Sequence, residues 1–180
     1  MLDPSETCDT AVNAKNPKVV LQKSLKSSIG CSGIGLHSGK KVTMSLNPSH
    51  TNTGIVFRRT DVNLENQIIP ARWDCVVDAR LATTIGNDAG VCVSTIEHLM
   101  AAFAGCGIDN AIVNLDGPEV PIMDGSAAPF IFLMECAGII EQSEPRRAIK
   151  LEKSIKVTDG NKYIIACPDQ AFSVDFEIDF

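Results

Sequence analysis

The sequence predicts an α+β fold, because segments with strand-like alternation are combined with two amphipathic helical segments. Residues 42–47 alternate between apolar and polar side chains, whereas residues 95–104 and 127–137 repeat apolar side chains with the period of a helix. Hydrophobic residues make up 44% of the 180 residues and charged residues 21%. This composition is typical of a folded domain and excludes a chain that is disordered throughout.

Four segments are predicted to be strands: residues 42–46, 55–59, 111–115 and 172–180. The last one alternates apolar and polar side chains from Phe172 to Phe180, which predicts a half-buried strand. It stops at the final residue without a turn or a cap, and an unfinished strand leaves its backbone groups exposed. We therefore expect the chain to be the front part of a longer protein.

A glycine-rich segment, Gly33–Gly39, separates two strand-like runs. Because it does not lead into a helix, it does not match a dinucleotide-binding or phosphate-binding loop. The segment is expected to form a tight hairpin.

The first helix is predicted from about Thr95 to Ala104. Ser94 and Glu97 have the spacing of a capping box, and Gly105 is expected to end the helix. One face carries the apolar residues Ile96, Leu99, Met100 and Phe103. The opposite face places a histidine among small residues (His98, Ala101, Ala102 and Gly105), which favours close approach by another element or a ligand.

The second helix is predicted to begin near Ala127, with Ser126 as its cap and Pro129 in its first turn, and to end at Gly138. Its apolar stripe is formed by Phe130, Leu133, Met134 and Ala137. The charged segment Glu141–Arg147 contains a proline and is expected to be a linker.

A short repeat predicts a second domain. Leu21-Gln-Lys-Ser-Leu-Lys26 resembles Leu151-Glu-Lys-Ser-Ile-Lys156, and both precede a turn with glycine and another strand-like run. Six matching positions are compatible either with chance or with a duplicated domain whose second copy is cut short. The expected organisation is a disordered lead-in over residues 1–18, a first α+β domain over 19–144 and the start of a second domain over 145–180.

Composition excludes several classes of function. The net charge of −6 and the scarcity of aromatic residues argue against a nucleic-acid polymer as partner. No apolar run approaches the roughly 18 residues of a membrane span, and the N-terminus lacks the apolar region of a secretory signal. The seven cysteines show no CxxC spacing and are expected to be buried, reduced side chains, so the sequence predicts a cytoplasmic protein.

The pair Glu97-His98 is the strongest local indication of chemistry. An imidazole can hold a metal ion while a neighbouring carboxylate takes a proton from water, as metal-assisted hydrolysis requires. Taken alone, the pair is better explained by a helix-capping glutamate and a satisfied interior histidine. Asp124 likewise is either a turn residue or a carboxylate aimed at a site.

Four motifs together resemble one family. They are Gly35-Leu-His-Ser-Gly-Lys40, Ser94-Thr-Ile-Glu-His-Leu99, Gly107-Ile-Asp-Asn110 and Pro121-Ile-Met-Asp-Gly-Ser-Ala127. In this order they resemble the LpxC family, the zinc-dependent UDP-3-O-acyl-N-acetylglucosamine deacetylases of lipid A synthesis, over roughly residues 21–180.

The resemblance implies two similar domains, each a sheet packed on helices in two layers, with the active site between them. It also implies roles for seven residues. His98 matches a Zn2+ ligand, Glu97 the general base, Asp124 a carboxylate near the site and Leu81 the lining of the metal-proximal pocket, while Lys162, Asp179 and Phe180 match positions that contact the UDP-linked acylated amino sugar.

The remaining zinc ligands of the family lie in a later His-Lys-x-x-Asp stretch, and its general acid is a later histidine; neither occurs in this chain. The resemblance therefore implies that residues 1–180 depend on the remainder of the second domain as a partner. One alternative is a short, non-catalytic paralogue that acts as a binding or scaffold module. A cysteine hydrolase is a further alternative, although no cysteine lies in a recognisable nucleophile setting.

Overall fold

The computed structural model describes residues 19–177, and the predicted lead-in over residues 1–18 lies outside this range. The strands are β1 (Leu21–Leu25), β2 (Ile29–Ile34), β3 (Lys41–Pro48), β4 (Ile55–Arg59), β5 (Ile68–Pro70), β6 (Val76–Asp78), β7 (Thr84–Gly86), β8 (Cys92–Val93), β9 (Ala111–Leu115), β10 (Ile139–Pro145), β11 (Ile155–Asp159) and β12 (Lys162–Ala166). The helices are α1 (Glu97–Cys106) and α2 (Ala128–Ala137). The predicted α+β fold is confirmed.

Residues 20–146 form one compact unit. Its main sheet has the strand order β2-β3-β9-β4-β5, in which β4 and β9 are parallel and the other pairs antiparallel. Strands β6, β7 and β8 form a small separate sheet, and β1 pairs with β10. Strands 42–46, 55–59 and 111–115 and the hairpin at Gly33–Gly39 are therefore confirmed.

The core of this unit lies between the main sheet and the two helices. Every second side chain of β3 and β9 is buried, as expected for a sheet with one covered face. The same core cluster includes side chains from both layers: Val42, Met44, Leu46, Phe57, Val113 and Leu115 from the sheet, and Leu99, Phe103, Phe130 and Met134 from the helices.

The predicted capping box is wrong, and α1 begins two residues later than expected. Ser94 is taken up by a parallel bridge to Glu119, with its N–H bonded to Pro118 O and its carbonyl to Val120 N. Thr95 follows with φ +57°, outside the helical region. Gly105 lies inside the helix, which ends because Gly107 adopts the left-handed conformation and donates back to the last turn.

Helix α2 agrees closely with its prediction. It starts one residue later than expected, so the predicted cap is wrong: Ala127, which has no capping side chain, precedes the first helical residue. The Ser126 hydroxyl still accepts a hydrogen bond from the backbone N–H of Ala128. Phe130, Met134 and Ala137 are buried, and Gly138 follows the last helical residue.

The segment expected to be a linker is a strand as far as Pro145. Residues 139–145 form β10, which pairs with β1. Six of the seven residues of β10 are exposed, the charged ones among them. An exposed strand can carry charged side chains as readily as a linker does, so charge does not indicate a linker here.

Residues 147–177 belong to a second compact unit, in which β11 and β12 form an antiparallel hairpin. The strand predicted from Phe172 is wrong for residues 172–177, which are exposed and not in a strand; residues 178–180 lie outside the described range. An alternating segment becomes a strand only when a neighbour supplies hydrogen bonds and a core covers its apolar face. Residues 147–177 supply neither.

A network of amide side chains joins β1 and β10 to Asn110, the residue just before β9. Asn110, which is 1% exposed, donates to Gln22 Oε1 at 2.8 Å and to Gln142 Oε1 at 2.7 Å. Its own oxygen accepts from the backbone N–H of Gly54 at 2.9 Å. In β9, by contrast, the buried Oδ1 of Asn114 has no hydrogen-bond partner within residues 19–177.

The expectation that the cysteines are buried is wrong for those that the structure describes. Cys136 and Cys167 are exposed, and the others are partly buried: Cys31, Cys75, Cys92 and Cys106. All six are free thiols. Within residues 19–177, neither helix has the length and apolar character that crossing a membrane requires.

Candidate active site

The pair Glu97-His98 lies in the first turn of α1, at the point where the chain leaves the bridge between Ser94 and Glu119. Glu97 is exposed and His98 is buried, because adjacent helical residues point in directions about 100° apart. The two side chains thus divide between the surface and the interior.

The imidazole of His98 is fixed by two contacts. Its Nε2 donates to the carbonyl oxygen of Pro121 at 2.9 Å, and its ring packs edge-on against Phe130 with 5.0 Å between centroids. Because a carbonyl oxygen only accepts, Nε2 carries a proton, and in the neutral form of the ring Nδ1 keeps its lone pair. This is the tautomer in which Nδ1 can act as a metal ligand.

The small-residue face around His98 is only partly covered. Ala102 is buried beside it, whereas Ala101 and Gly105 are exposed. The predicted close approach therefore occurs at the His98 end of this face, where Pro121 and Phe130 meet the ring.

The carboxylate of Glu97 is anchored to a neighbouring loop. The backbone N–H of Thr83 donates to its Oε1. Partial burial raises the pKa of this carboxyl, but the hydrogen bonds that it accepts, from Thr83 above all, outweigh that effect, so the pKa lies below its ordinary value. Glu97 is consequently ionised at neutral pH, as a proton acceptor must be.

A cleft of about 490 Å³ lies next to this loop. Its lining residues are His37, Asp78, Arg80, Leu81, Ala82, Thr84 and Ser94. Leu81 lines this cleft with a side chain that is 88% exposed, and its place in a metal-proximal pocket stays a prediction. The Arg80 guanidinium pairs with Asp78 and lowers the pKa of that carboxyl to about 2, so the rim carries a fixed ion pair.

Asp124 lies in the turn that follows Pro121 and is exposed. Its Oδ1 accepts from the backbone N–H of Ser126 at 2.9 Å and from the Ser126 hydroxyl at 2.8 Å, which lowers the pKa of the carboxyl. This is the local turn interaction considered from the sequence; a part in the site stays a prediction.

The structure does not test the three remaining predicted residues. Lys162 is the first residue of β12 in the other compact unit and has an exposed side chain. Asp179 and Phe180 lie outside the described residues. Their predicted contacts with substrate stay predictions.

The part of the chain that the structure describes contains no group of three His, Cys, Asp or Glu side chains able to hold a metal ion. His98 fits one position of a zinc site, since a neutral imidazole with a defined tautomer is a usual ligand. That His98 holds zinc stays a prediction.

Sequence reasoning missed Glu119, which is 1% exposed and lies between the hairpin turn and α1. Its carboxylate accepts from the backbone N–H groups of His37 (2.9 Å) and Ser38 (2.8 Å) and from the Thr95 hydroxyl (2.9 Å). Burial raises the pKa of this carboxyl, yet these donors overcome that effect and hold the pKa at about 2. The residue follows Gly117-Pro118, which in the sequence indicates only a turn.

Comparison with known proteins gives one consistent result. Residues 22–180 match the family described as LpxC: UDP-3-O-acyl N-acetylglycosamine deacetylase. Relatives named UDP-3-O-acyl-N-acetylglucosamine deacetylase are 54% identical in Acidithiobacillus ferrooxidans, 52% in Pseudoalteromonas atlantica and 49% in Vibrio cholerae, each over 162 residues. Each alignment covers 90% of this chain and 53% of the relative, so the chain spans about half the length of the curated relatives it matches.

Proposed function

Since this chain belongs to the LpxC family of UDP-3-O-acyl-N-acetylglycosamine deacetylases, we propose that it forms part of a zinc-dependent hydrolase. The reaction is removal of the acetyl group from UDP-3-O-acyl-N-acetylglucosamine during lipid A synthesis in the cytoplasm. The observation that carries the proposal is the pair formed by an anchored, ionised Glu97 and a tautomerically fixed His98 beside an open cleft.

Glu97 acts as the general base in this proposal. Water attacks the acetamide carbonyl carbon, its proton passes to the Glu97 carboxylate, the C–N bond breaks, and the amine and acetate leave after the nitrogen gains a proton. The lowered pKa of Glu97 keeps it unprotonated before the attack. The N–H of Thr83 keeps the carboxylate beside the loop that lines the cleft.

His98 is proposed as one zinc ligand through Nδ1, while its Nε2–H remains on Pro121. When bound, zinc supplies Lewis acidity to the acetamide carbonyl and to a water molecule. The other donors come from outside residues 19–177, which hold no three-donor group of their own. We therefore propose that residues 1–180 alone bind zinc weakly and do not turn over substrate.

Leu81 is proposed to line the part of the cleft nearest the metal, and Asp124 to support the site from the turn after Pro121. Lys162, Asp179 and Phe180 are proposed to contact the nucleotide portion of the substrate. The UDP moiety is anionic, which suits the exposed ammonium of Lys162.

The proposal is tested by measuring acetate release from the UDP-linked substrate and bound zinc, for the full coding sequence and for residues 1–180. Glu97→Gln is expected to lower kcat about 10²–10⁴-fold with zinc retained, the range of a general base. His98→Ala is expected to reduce zinc binding as well. Glu65→Gln and His50→Ala, both exposed positions, serve as controls and should change neither quantity.

Two results would contradict the proposal. Full activity in Glu97→Gln would exclude Glu97 as the general base. One tightly bound zinc with turnover in residues 1–180 would disprove the requirement for zinc ligands from outside this chain. A full coding sequence that binds the substrate without releasing acetate would instead support a binding module.

A further inference from the structure

Glu119 is a buried carboxylate that has no cationic partner among the residues that the structure describes. None of the ion pairs formed within residues 19–177 includes it. A buried charge is strongly unfavourable unless hydrogen bonds compensate it, and here both oxygens are compensated by the three donors of His37, Ser38 and Thr95. A side chain held in this way joins segments that are distant in the sequence.

One of these donors belongs to a strained residue. Thr95 has φ +57°, and a β-branched side chain is rarely found in the left-handed region because its Cβ crowds the backbone. Thr95 lies directly before Ile96 and α1, so its conformation sets the direction in which the helix starts. Its hydroxyl bond to Glu119 is the interaction that can hold it there.

The same carboxylate packs against the hairpin turn so closely that only glycine fits opposite it. A Cβ added at Gly35 would overlap the Glu119 carboxylate and the Ser38 hydroxyl. The turn also carries His37, which lines the cleft. Glu119 therefore fixes one wall of the cleft as well as the start of the helix.

The segment that carries Glu119 also holds His98. Two residues after Glu119, the carbonyl oxygen of Pro121 accepts a hydrogen bond from His98 Nε2. Between them, Val120 N donates to Ser94 O, which fixes this segment beside the approach to α1. A displacement of Glu119 would thus be transmitted to the imidazole from two sides.

We propose that Glu119 is a positioning residue: through Thr95, the hairpin turn and Pro121 it fixes the orientation of Glu97 and His98 in the first turn of α1. Its relevance to hydrolysis rests on the proposed function. The positioning of His98 by Glu119 does not depend on that function, because the orientation of His98 can be measured without substrate or metal.

The chain has three histidines, so the side-chain ring nitrogens can be resolved by long-range ¹H–¹⁵N correlation NMR on the metal-free 180-residue chain. In the unmodified chain, His98 is expected as the Nε2–H tautomer with a slowly exchanging proton. In Glu119→Gln, we expect exchange of that proton to accelerate at least tenfold and the signals of His37 to shift. His50, in an exposed turn, should not change.

Asp109→Asn is the matched control, because Asp109 also accepts a backbone N–H, that of Lys23 at 2.8 Å, but lies beyond the other end of α1. It should leave His98 unchanged. If Glu119→Gln leaves the tautomer and exchange of His98 as they were, or if Asp109→Asn alters them equally, the proposal is overturned.

Thr95 provides a second test in case Glu119→Gln fails to fold. Thr95→Val removes the hydroxyl and keeps the shape, so exchange at His98 is expected to accelerate in the same direction, and an unchanged rate overturns the proposal. In Glu119→Gln, adding Thr95→Gly should restore part of the slow exchange, because glycine adopts φ +57° without strain. No part of this test measures deacetylation, so a failed proposed function would leave its result intact.

Discussion

Glu119 should make the stability of the fold depend on pH in a defined window. The ordinary pKa of this carboxyl is 4.5, and in the folded state the donors from His37, Ser38 and Thr95 hold it at about 2. Because the folded pKa is depressed, the charged form stabilises the folded state fully above pH 4.5. That contribution is lost as the pH falls toward 2.

The size of the effect follows from the two pKa values. Lowering the pKa from 4.5 to about 2 corresponds to roughly 3 kcal/mol, because one pKa unit is worth about 1.4 kcal/mol. Glu119→Gln keeps the shape but cannot ionise, and its amide group places a donor against a backbone donor. We expect the variant to be about 3 kcal/mol less stable at pH 7, and the difference to shrink to about 1–2 kcal/mol at pH 3.

The assay is urea unfolding of both proteins at pH 7, 5, 4 and 3, followed by far-ultraviolet circular dichroism. Fluorescence is less useful because the one tryptophan, Trp73, is 88% exposed. Asp116→Asn is the control: this exposed carboxylate accepts from Thr43 N at 2.6 Å, and its replacement should lower stability less at pH 7. A difference between the unmodified chain and Glu119→Gln that stays constant from pH 7 to pH 3 would refute the reasoning.

Two further predictions concern the frame around the site. Asn110→Ala should lower the free energy of unfolding by about 2–4 kcal/mol, since it removes three hydrogen bonds made by a buried side chain. Asn114→Ala should change the free energy of unfolding by less than about 1 kcal/mol, since within residues 19–177 its side chain makes one hydrogen bond, of 3.3 Å, and its Oδ1 has no partner. Urea unfolding of this matched pair is the measurement, and equal losses would contradict the network. Arg146→Lys should cost about 1 kcal/mol and accelerate amide exchange at Asp109, because the guanidinium binds both carboxylate oxygens of Asp109 and also the Gly107 carbonyl, and an ammonium cannot reproduce this fork geometry. Unchanged exchange would exclude this role.

The elements that the sequence predicts correctly are those whose environment is set locally. Strand β3 alternates because one face of the main sheet is covered and the other is not, and α2 is recognisable because its buried stripe and its terminal glycine lie within a few residues of each other. Residues 172–177 show the limit of this reasoning. They have the same alternation as β3, but no neighbouring strand within the described residues converts the pattern into structure.

The prediction of where α1 begins was wrong for a related reason, which also explains how the site is held. Ser94 and Glu97 have the spacing of a capping box, but the backbone of Ser94 bonds to residues 118 and 120, and the Glu97 carboxylate bonds to Thr83. The partners of Glu119 are separated from it by 82, 81 and 24 residues. Such non-local bonds leave no periodic trace in the sequence. The pair Glu97-His98 could therefore be found from its motif. The role of Glu119 became visible only in the fold, which brings the hairpin turn, the segment before α1 and residue 119 together.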